Sequence, residues 1–204
     1  MTRYLKRVFD LLGSIFGLVL ISPIVPIIML AIKLDSKGPI LFTQERIGLA
    51  LPMYVKIFRV IKFRTMYVDA ETNGAPQWAK VNDPRITKVG LFLRKTRMDE
   101  LPQLINVLKG EMSLVGPRPE RPGFYNKLEN EIPFYVERTY GVTPGITGLA
   151  QVNQGYDVTI EDVRSKLAYD HAYALSLSDP LSWLKFESII LFKTLSVVLC
   201  GRGQ

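Results

Sequence analysis

Cysteine and histidine are nearly absent, with one of each in 204 residues. A single cysteine excludes an internal disulfide, and one cysteine with one histidine cannot supply a zinc site of the usual kind. Ser-His-Asp chemistry has one histidine to draw on, His171, which reads as a bystander. Internal repeats and low-complexity tracts are also missing, and the composition excludes a disordered or collagen-like chain. No helix-turn-helix, zinc or RNA-motif signature accompanies the excess of 26 Lys+Arg over 19 Asp+Glu, so nucleic acid is not an expected partner. What remains is a chain long enough for one real core, in which 48% hydrophobic residues sit beside 22% charged ones. That combination predicts one apolar segment and one basic globule.

The apolar segment lies at the start, where Leu11 to Ile32 runs 22 residues without a charge. A spanning helix needs about 20 such residues. The run is too long for the core of a signal peptide, and no small-residue cleavage pattern follows it. Pro23 and Pro26 break its centre, each removing a backbone donor and crowding the carbonyl four residues before, Val19 and Ser22 respectively. Arg3, Lys6 and Arg7 precede the run and Lys33, Lys37 and Arg46 follow it, so the positive-inside rule has no side to choose. A hairpin that enters and leaves by the cytoplasmic face removes the conflict, with Ser22 available to bond a freed carbonyl. The expected organisation is a re-entrant hairpin over residues 1–36 followed by a cytoplasmic-face domain over 37–204.

The basic charge is concentrated. Lys56 to Arg97 holds ten Lys/Arg against three acids, which equals the net +7 of the whole chain. Such a field attracts anionic head groups or a diphosphate. Around it the pattern reads as α/β, mixed and helix-rich. Short strands are expected at 40–43 and 55–63 about a turn at Gly48–Pro52, and a polar loop at 69–83. Lys88 to Arg97 is apolar on one face and basic on the other, as an interfacial helix would be. Helical spacing resumes from Leu101 to Leu108 with Gly110 as the stop, irregular loops follow from Glu111 to Gln151, and helices return over 163–175 and 184–199.

The chemistry concentrates at Arg97-Met98-Asp99-Glu100-Leu101-Pro102. Proline is tolerated only in the first turn of a helix, so Pro102 puts a helix start within a few residues of Asp99 and Glu100. Carboxylates there are favoured in the ionised form and make a metal-friendly edge; taken alone, the pair reads equally as helix caps. Its neighbours separate the two readings. Arg94, Lys95 and Arg97 lie upstream, and downstream Gly116-Pro117-Arg118-Pro119 sets one guanidinium in a stiffened loop, able to fork onto phosphate oxygens.

At these residues the sequence resembles the monotopic phosphoglycosyl transferases, the bacterial sugar transferase family that starts surface polysaccharide and glycoconjugate assembly. The resemblance runs in order through KRVFDLLGS and the Ser22-Pro23 break, GPILFTQERIG, KFRTM, NDPRITKVGLFLRKTRMDELPQLINVLKGEMSLVGPRPERP, VTPGITGLAQVN and the tail KLAYD, DPLSW and KTLSVVLCGRGQ. GPRPERP and the GRG ending look most like the exopolysaccharide branch, while Met98 and Leu149 depart from the family's usual leucine and tryptophan. The resemblance implies transfer of a sugar-1-phosphate from a UDP-sugar to undecaprenyl phosphate, with Mg²⁺, at the cytoplasmic leaflet of a bacterial inner membrane, and leaves a homodimer open. It implies Asp99 as nucleophile and Mg²⁺ contact with Glu100 as its partner on both counts, Arg118 as the diphosphate clamp, and Arg94, Arg97 and Lys62 as further substrate contacts. Asp170, in KLAYD, is assigned to nucleotide or metal binding on the same ground. Two rival readings stay open: Asp99 acting as a general base in a ternary complex, and a non-catalytic protein that uses its basic face on anionic lipid.

Overall fold

The computed structural model describes residues 1–68, 70, 83–133, 135–154 and 159–200. The polar loop expected at 69–83 and the GRG ending fall almost wholly outside them. Helices α1 (Thr2–Ile21) and α2 (Val25–Asp35) meet at a 64° bend, and they pass the length and composition of a membrane segment only as a bent pair. Ser22 Oγ donates to the Val19 carbonyl at 2.8 Å, the acceptor that Pro23 deprives of its usual partner. Pro26 acts differently from the expected second break. It falls in the first turn of α2, where its missing N–H has no helical partner to lose.

Helix α1 inverts the pattern of a soluble helix. Its buried residues are Thr2, Lys6, Asp10 and Ser14, four apart and all polar, while Leu12, Phe16, Val19 and Leu20 are exposed. Burying charge is tolerable only with full pairing. Glu187 accepts from Lys6 Nζ at 2.8 Å and from Tyr173 and Trp183 at 3.0 Å each; Asp10 accepts from the Ser113 hydroxyl and the Leu114 N–H. Arg7 donates to the carbonyls of Val107 and Leu108. Lys6 and Arg7, counted above as topology charges, are thus committed to partners inside the fold.

Strands β1 (Leu41–Leu51) and β2 (Tyr54–Phe63) form an antiparallel hairpin. It turns at Pro52-Met53 rather than at Gly48–Pro52, and Gly48 instead lies at a register shift inside β1. Helix α3 (Lys88–Lys95) follows, its first turn capped by the Thr87 hydroxyl and by Asp35, whose carboxylate accepts from Val89 N–H. Ile28 and Ile32 of α2 pack with Phe63 and Leu93, joining the hairpin's second arm to β2 and α3. Arg64 closes the same corner by donating to the Ser36 and Lys37 carbonyls, and Gly38, at φ +128°, leaves room for its guanidinium.

The region expected as loops holds more structure than its Pro and Gly content indicated. After α4 (Gln103–Lys109), closed by Gly110 at φ +79°, strand β3 (Ser113–Val115) pairs in parallel with β4 (Gly145–Thr147). Between them run α5 (Pro122–Glu131), with Pro122 in its opening turn, and a 3-10 turn at Tyr135–Thr139. A short α6 (Leu149–Asn153) precedes α7 (Ile160–Ser176) and α8 (Pro180–Leu199), which pack Tyr173 and Ile190 against Val115 and Val142.

Candidate active site

One buried side chain aligns the pieces of the site. Asn106 of α4 accepts from Ile61 N–H at 3.0 Å and donates to the Arg59 carbonyl at 2.8 Å and to Glu111 at 2.6 Å, extending β2 as a strand partner would. Helix α4 is thereby fixed beside the end of β2, and the 3-10 turn Met98–Glu100 just ahead of it falls next to Lys62. Nothing in the sequence beyond an amide at helical spacing marked Asn106.

Lys62 Nζ donates to Glu100 Oε1 at 2.6 Å, and both terminal nitrogens of Arg118 lie 3.3 Å from the same oxygen. Arg97 approaches Glu100 Oε2 at 3.6 Å. Burial opposes the charge on Glu100, but these three cations outweigh it and hold the carboxyl well below the usual range. Burial pushes the Lys62 ammonium down, with Glu100 opposing the shift. Asp99 is equally buried but makes no hydrogen bond or ion pair with any described residue. Burial, with the charge of Glu100, drives its carboxyl above the usual range against the pull of Lys62, Arg94 and Arg118. Two adjacent carboxylates thus differ in kind: one is locked as an anion among cations, and the other carries its charge reluctantly.

Lys62, Arg94, Arg97, Asp99, Glu100 and Arg118 all line one cavity of about 310 Å³. Arg94 is held there by its Nε, which donates to the Thr65 hydroxyl at 2.9 Å. Sequence reasoning missed four further arginines on this wall, Arg46, Arg64, Arg85 and Arg121. Arg46 sits in the TQERIG phrase but was counted only as a charge flanking the apolar run. Burial, and after it Arg118 and Arg121 nearby, lowers its guanidinium to about 10. Its Nη1 donates to the Pro119 carbonyl at 3.1 Å, holding the GPRP loop. Gly116 opens that loop where a Cβ would run into the Thr143 carbonyl.

Asp170 lies elsewhere. It is buried on α7 and accepts from Arg138 Nη1 at 2.8 Å, while Arg138 Nη2 donates to the Arg118 carbonyl at 2.9 Å. Asp170 is absent from the wall of the cavity and reaches Arg118 only through Arg138. His171 beside it does not line the cavity either. Among the described residues no cluster of three acids, cysteines or histidines could hold a metal ion by itself.

A family model described as bacterial sugar transferase matches residues 1–201. The chain is similar to a UDP-N-acetylgalactosamine-undecaprenyl-phosphate N-acetylgalactosaminephosphotransferase of Aeromonas hydrophila, 43% identical over 200 residues covering 98% of this chain and 45% of that protein. It is similar to a UDP-glucose:undecaprenyl-phosphate glucose-1-phosphate transferase of Escherichia coli K12, 45% identical over 173 residues covering 84% of this chain and 36% of that one. It is also 41% identical, over the whole length of both, to the exopolysaccharide production protein PSS of Rhizobium leguminosarum bv. phaseoli. The chain spans less than half the length of the first two relatives.

Proposed function

The chain belongs to the bacterial sugar transferase family, and from that premise we propose that it transfers a sugar-1-phosphate from a UDP-sugar to undecaprenyl phosphate, releasing UMP, in the initiating membrane step of a polysaccharide or glycoconjugate. The observation that carries this reading is the cation-lined cavity with one carboxylate, Asp99, left unpaired in it. A diphosphate brings the negative charge that the arginines and Lys62 lack. An oxygen of Asp99 attacks the sugar-bearing phosphorus, the bond to the UMP oxygen breaks, and UMP leaves. The phosphate of the lipid acceptor then attacks the same phosphorus and frees Asp99. Glu100 keeps Lys62 and Arg118 aimed at the transferred group throughout. The test is a panel of UDP-sugars assayed for UMP release with undecaprenyl phosphate; absence of release with every sugar overturns the proposal, and the responding sugar names the substrate, on which the relatives differ.

The donor set suits Mg²⁺, which is held by one or two carboxylates together with substrate phosphates rather than by an all-protein cage. Asp99 is the residue that would hold it, because Glu100 already faces three cations. When bound, the ion neutralises diphosphate charge at the reacting phosphorus.

Arg118→Lys keeps the charge but loses the fork, at a cost of about 2 kcal/mol for a charge-assisted bond, or roughly 30-fold in kcat/KM. Kinetics of this variant at wild-type level would move the clamp to Arg46 or Arg121.

Seating at the cytoplasmic face of the inner membrane by the bent pair and the interfacial α3 is part of the same proposal. Thr2 is buried, so the topology is best read from the exposed Tyr4 and Lys37. Cysteines at these two positions, in a Cys200→Ser background, both resist a membrane-impermeant thiol reagent in intact cells and both react after lysis. Labelling of either one from outside means a spanning segment.

A further inference from the structure

A second cavity, about 170 Å³, shares Arg97 and Glu100, an ion pair, with the donor cavity, and shares no other lining residue with it. Its character is opposite. Leu101, Leu104, Ile146, Val152, Val197 and Val198 form most of the wall, and Arg97 and Glu100 are its charged residues. The two threonines present there have turned their hydroxyls to each other, Thr147 and Thr194 at 2.7 Å, with Thr194 also donating to the Ile190 carbonyl. Gln151 is the remaining polar residue of the lining: its Nε2 donates to the Ile146 carbonyl at 3.1 Å and its Oε1 is buried without a partner, so the wall offers one free acceptor in a surface otherwise suited to branched hydrocarbon.

The position of the cavity says what kind of hydrocarbon. Leu104 backs onto α1 at Gly17, where a Cβ would stand 3.0 Å from its Cδ1. Beyond Gly17, α1 exposes Phe16, Val19 and Leu20, and α8, which supplies Thr194, Val197 and Val198, exposes Phe192 and Leu195. The apolar cavity is therefore flanked by helices whose outer faces are apolar as well. At its inner end Arg97 is the one non-glycine residue with positive φ among those described, at 58°. That conformation is disfavoured for a residue with a Cβ, and it sets the Arg97 guanidinium on the wall shared by the two cavities.

We propose that this second cavity seats the first isoprene units of the acceptor, a polyprenyl phosphate, with the acceptor's phosphate at Arg97 and its tail running out between α4 and α8. The assignment rests on the transfer reading above. It places donor and acceptor in two cavities that share the Arg97–Glu100 pair, so each phosphate meets a cation and only the lipid's hydrocarbon meets the apolar wall.

The test fills the cavity from α8 with Val197→Phe and Val198→Phe, residues outside the donor cavity. In steady-state kinetics with both substrates varied, KM for undecaprenyl phosphate rises tenfold or more and KM for the UDP-sugar stays within twofold. An active wild type whose variants keep the acceptor KM overturns the cavity assignment alone; an inactive wild type overturns the transfer reading instead. Photo-crosslinking covers the case in which the variants do not fold. Unmodified protein in nanodiscs is irradiated with a polyprenyl phosphate carrying a diazirine in its first isoprene unit. Adducts fall within residues 146–152 or 194–198 and are suppressed by undecaprenyl phosphate but not by phosphatidylglycerol. Adducts elsewhere, or equal suppression by both lipids, overturn the proposal.

Discussion

Asp99→Asn abolishes transfer, lowering kcat by at least about 10³-fold, and at the same time makes the protein harder to unfold. The two effects share one cause. Burial and the neighbouring Glu100 raise the folded-state pKa of Asp99 above its unfolded value of about 4. Below that value the carboxyl is protonated in both states and costs nothing. As the pH rises through the folded-state pKa, the folded protein must carry a charge its surroundings resist, and stability falls. Asparagine removes that penalty, so the variant's melting temperature exceeds the wild type's at neutral pH, by about 2–4 °C for each kcal/mol recovered in a chain of this length. The gap closes as the solution is acidified toward pH 4.

The covalent and general-base readings divide over a lipid-free incubation with UDP-sugar and Mg²⁺. A nucleophilic Asp99 takes up sugar-phosphate label and releases UMP, and hydroxylamine discharges the label because acyl phosphates are cleaved by it. Asp99→Asn takes none. An enzyme that turns over with lipid present yet stays unlabelled without it uses Asp99 as a base.

Most of the elements, and the place of Asp99 and Glu100 just ahead of a helix, were legible in the sequence because they rest on local chemistry. Pro23 and Ser22 act on a carbonyl three or four residues away, Pro102 and Gly110 bracket α4, and hydrophobic spacing gives α7 and α8. The errors are those of local reasoning too. Pro122 opens α5 inside a stretch read as loop, since Pro and Gly mark a helix start as readily as its absence. Gly48, read as a turn, sits within a strand at a register shift that only the pairing partner reveals. The rest of the site depends on long-range meetings that no spacing encodes. Arg46 reaches the GPRP loop from β1, Asn106 docks α4 on β2, and Asp170 meets Arg138 before Arg138 meets Arg118. The polar stripe of α1, Thr2, Lys6, Asp10 and Ser14, went unread because Lys6 was taken as a flanking charge, and only the fold shows that this face is the buried one.

Glu100→Gln separates holding the cations from binding the donor. The substitution keeps size and removes the charge on which Lys62, Arg118 and Arg97 converge. Leaving a buried cation without its counter-ion costs about 3 kcal/mol, a fall of about 6–12 °C in melting temperature at neutral pH. The sign of its pH dependence is opposite to that of Asp99. Because the folded-state pKa of Glu100 is depressed, its stabilisation is complete above the unfolded value and is lost as the pH falls through the folded one, so wild type and variant converge only on strong acidification. Binding moves the other way. A cavity relieved of one negative charge is more positive, so UDP binds at least as tightly and raises the variant's melting temperature by more than it raises the wild type's. Transfer still falls by about 10²-fold or more in kcat, because Lys62 and Arg118 no longer share the acceptor that sets their direction and stabilise the reacting phosphoryl group less well. A variant with unchanged kcat and a raised KM for the UDP-sugar would instead make Glu100 a direct substrate contact, and the role of aiming the cations would pass to the backbone anchors, Arg138 on the Arg118 carbonyl and Arg46 on Pro119.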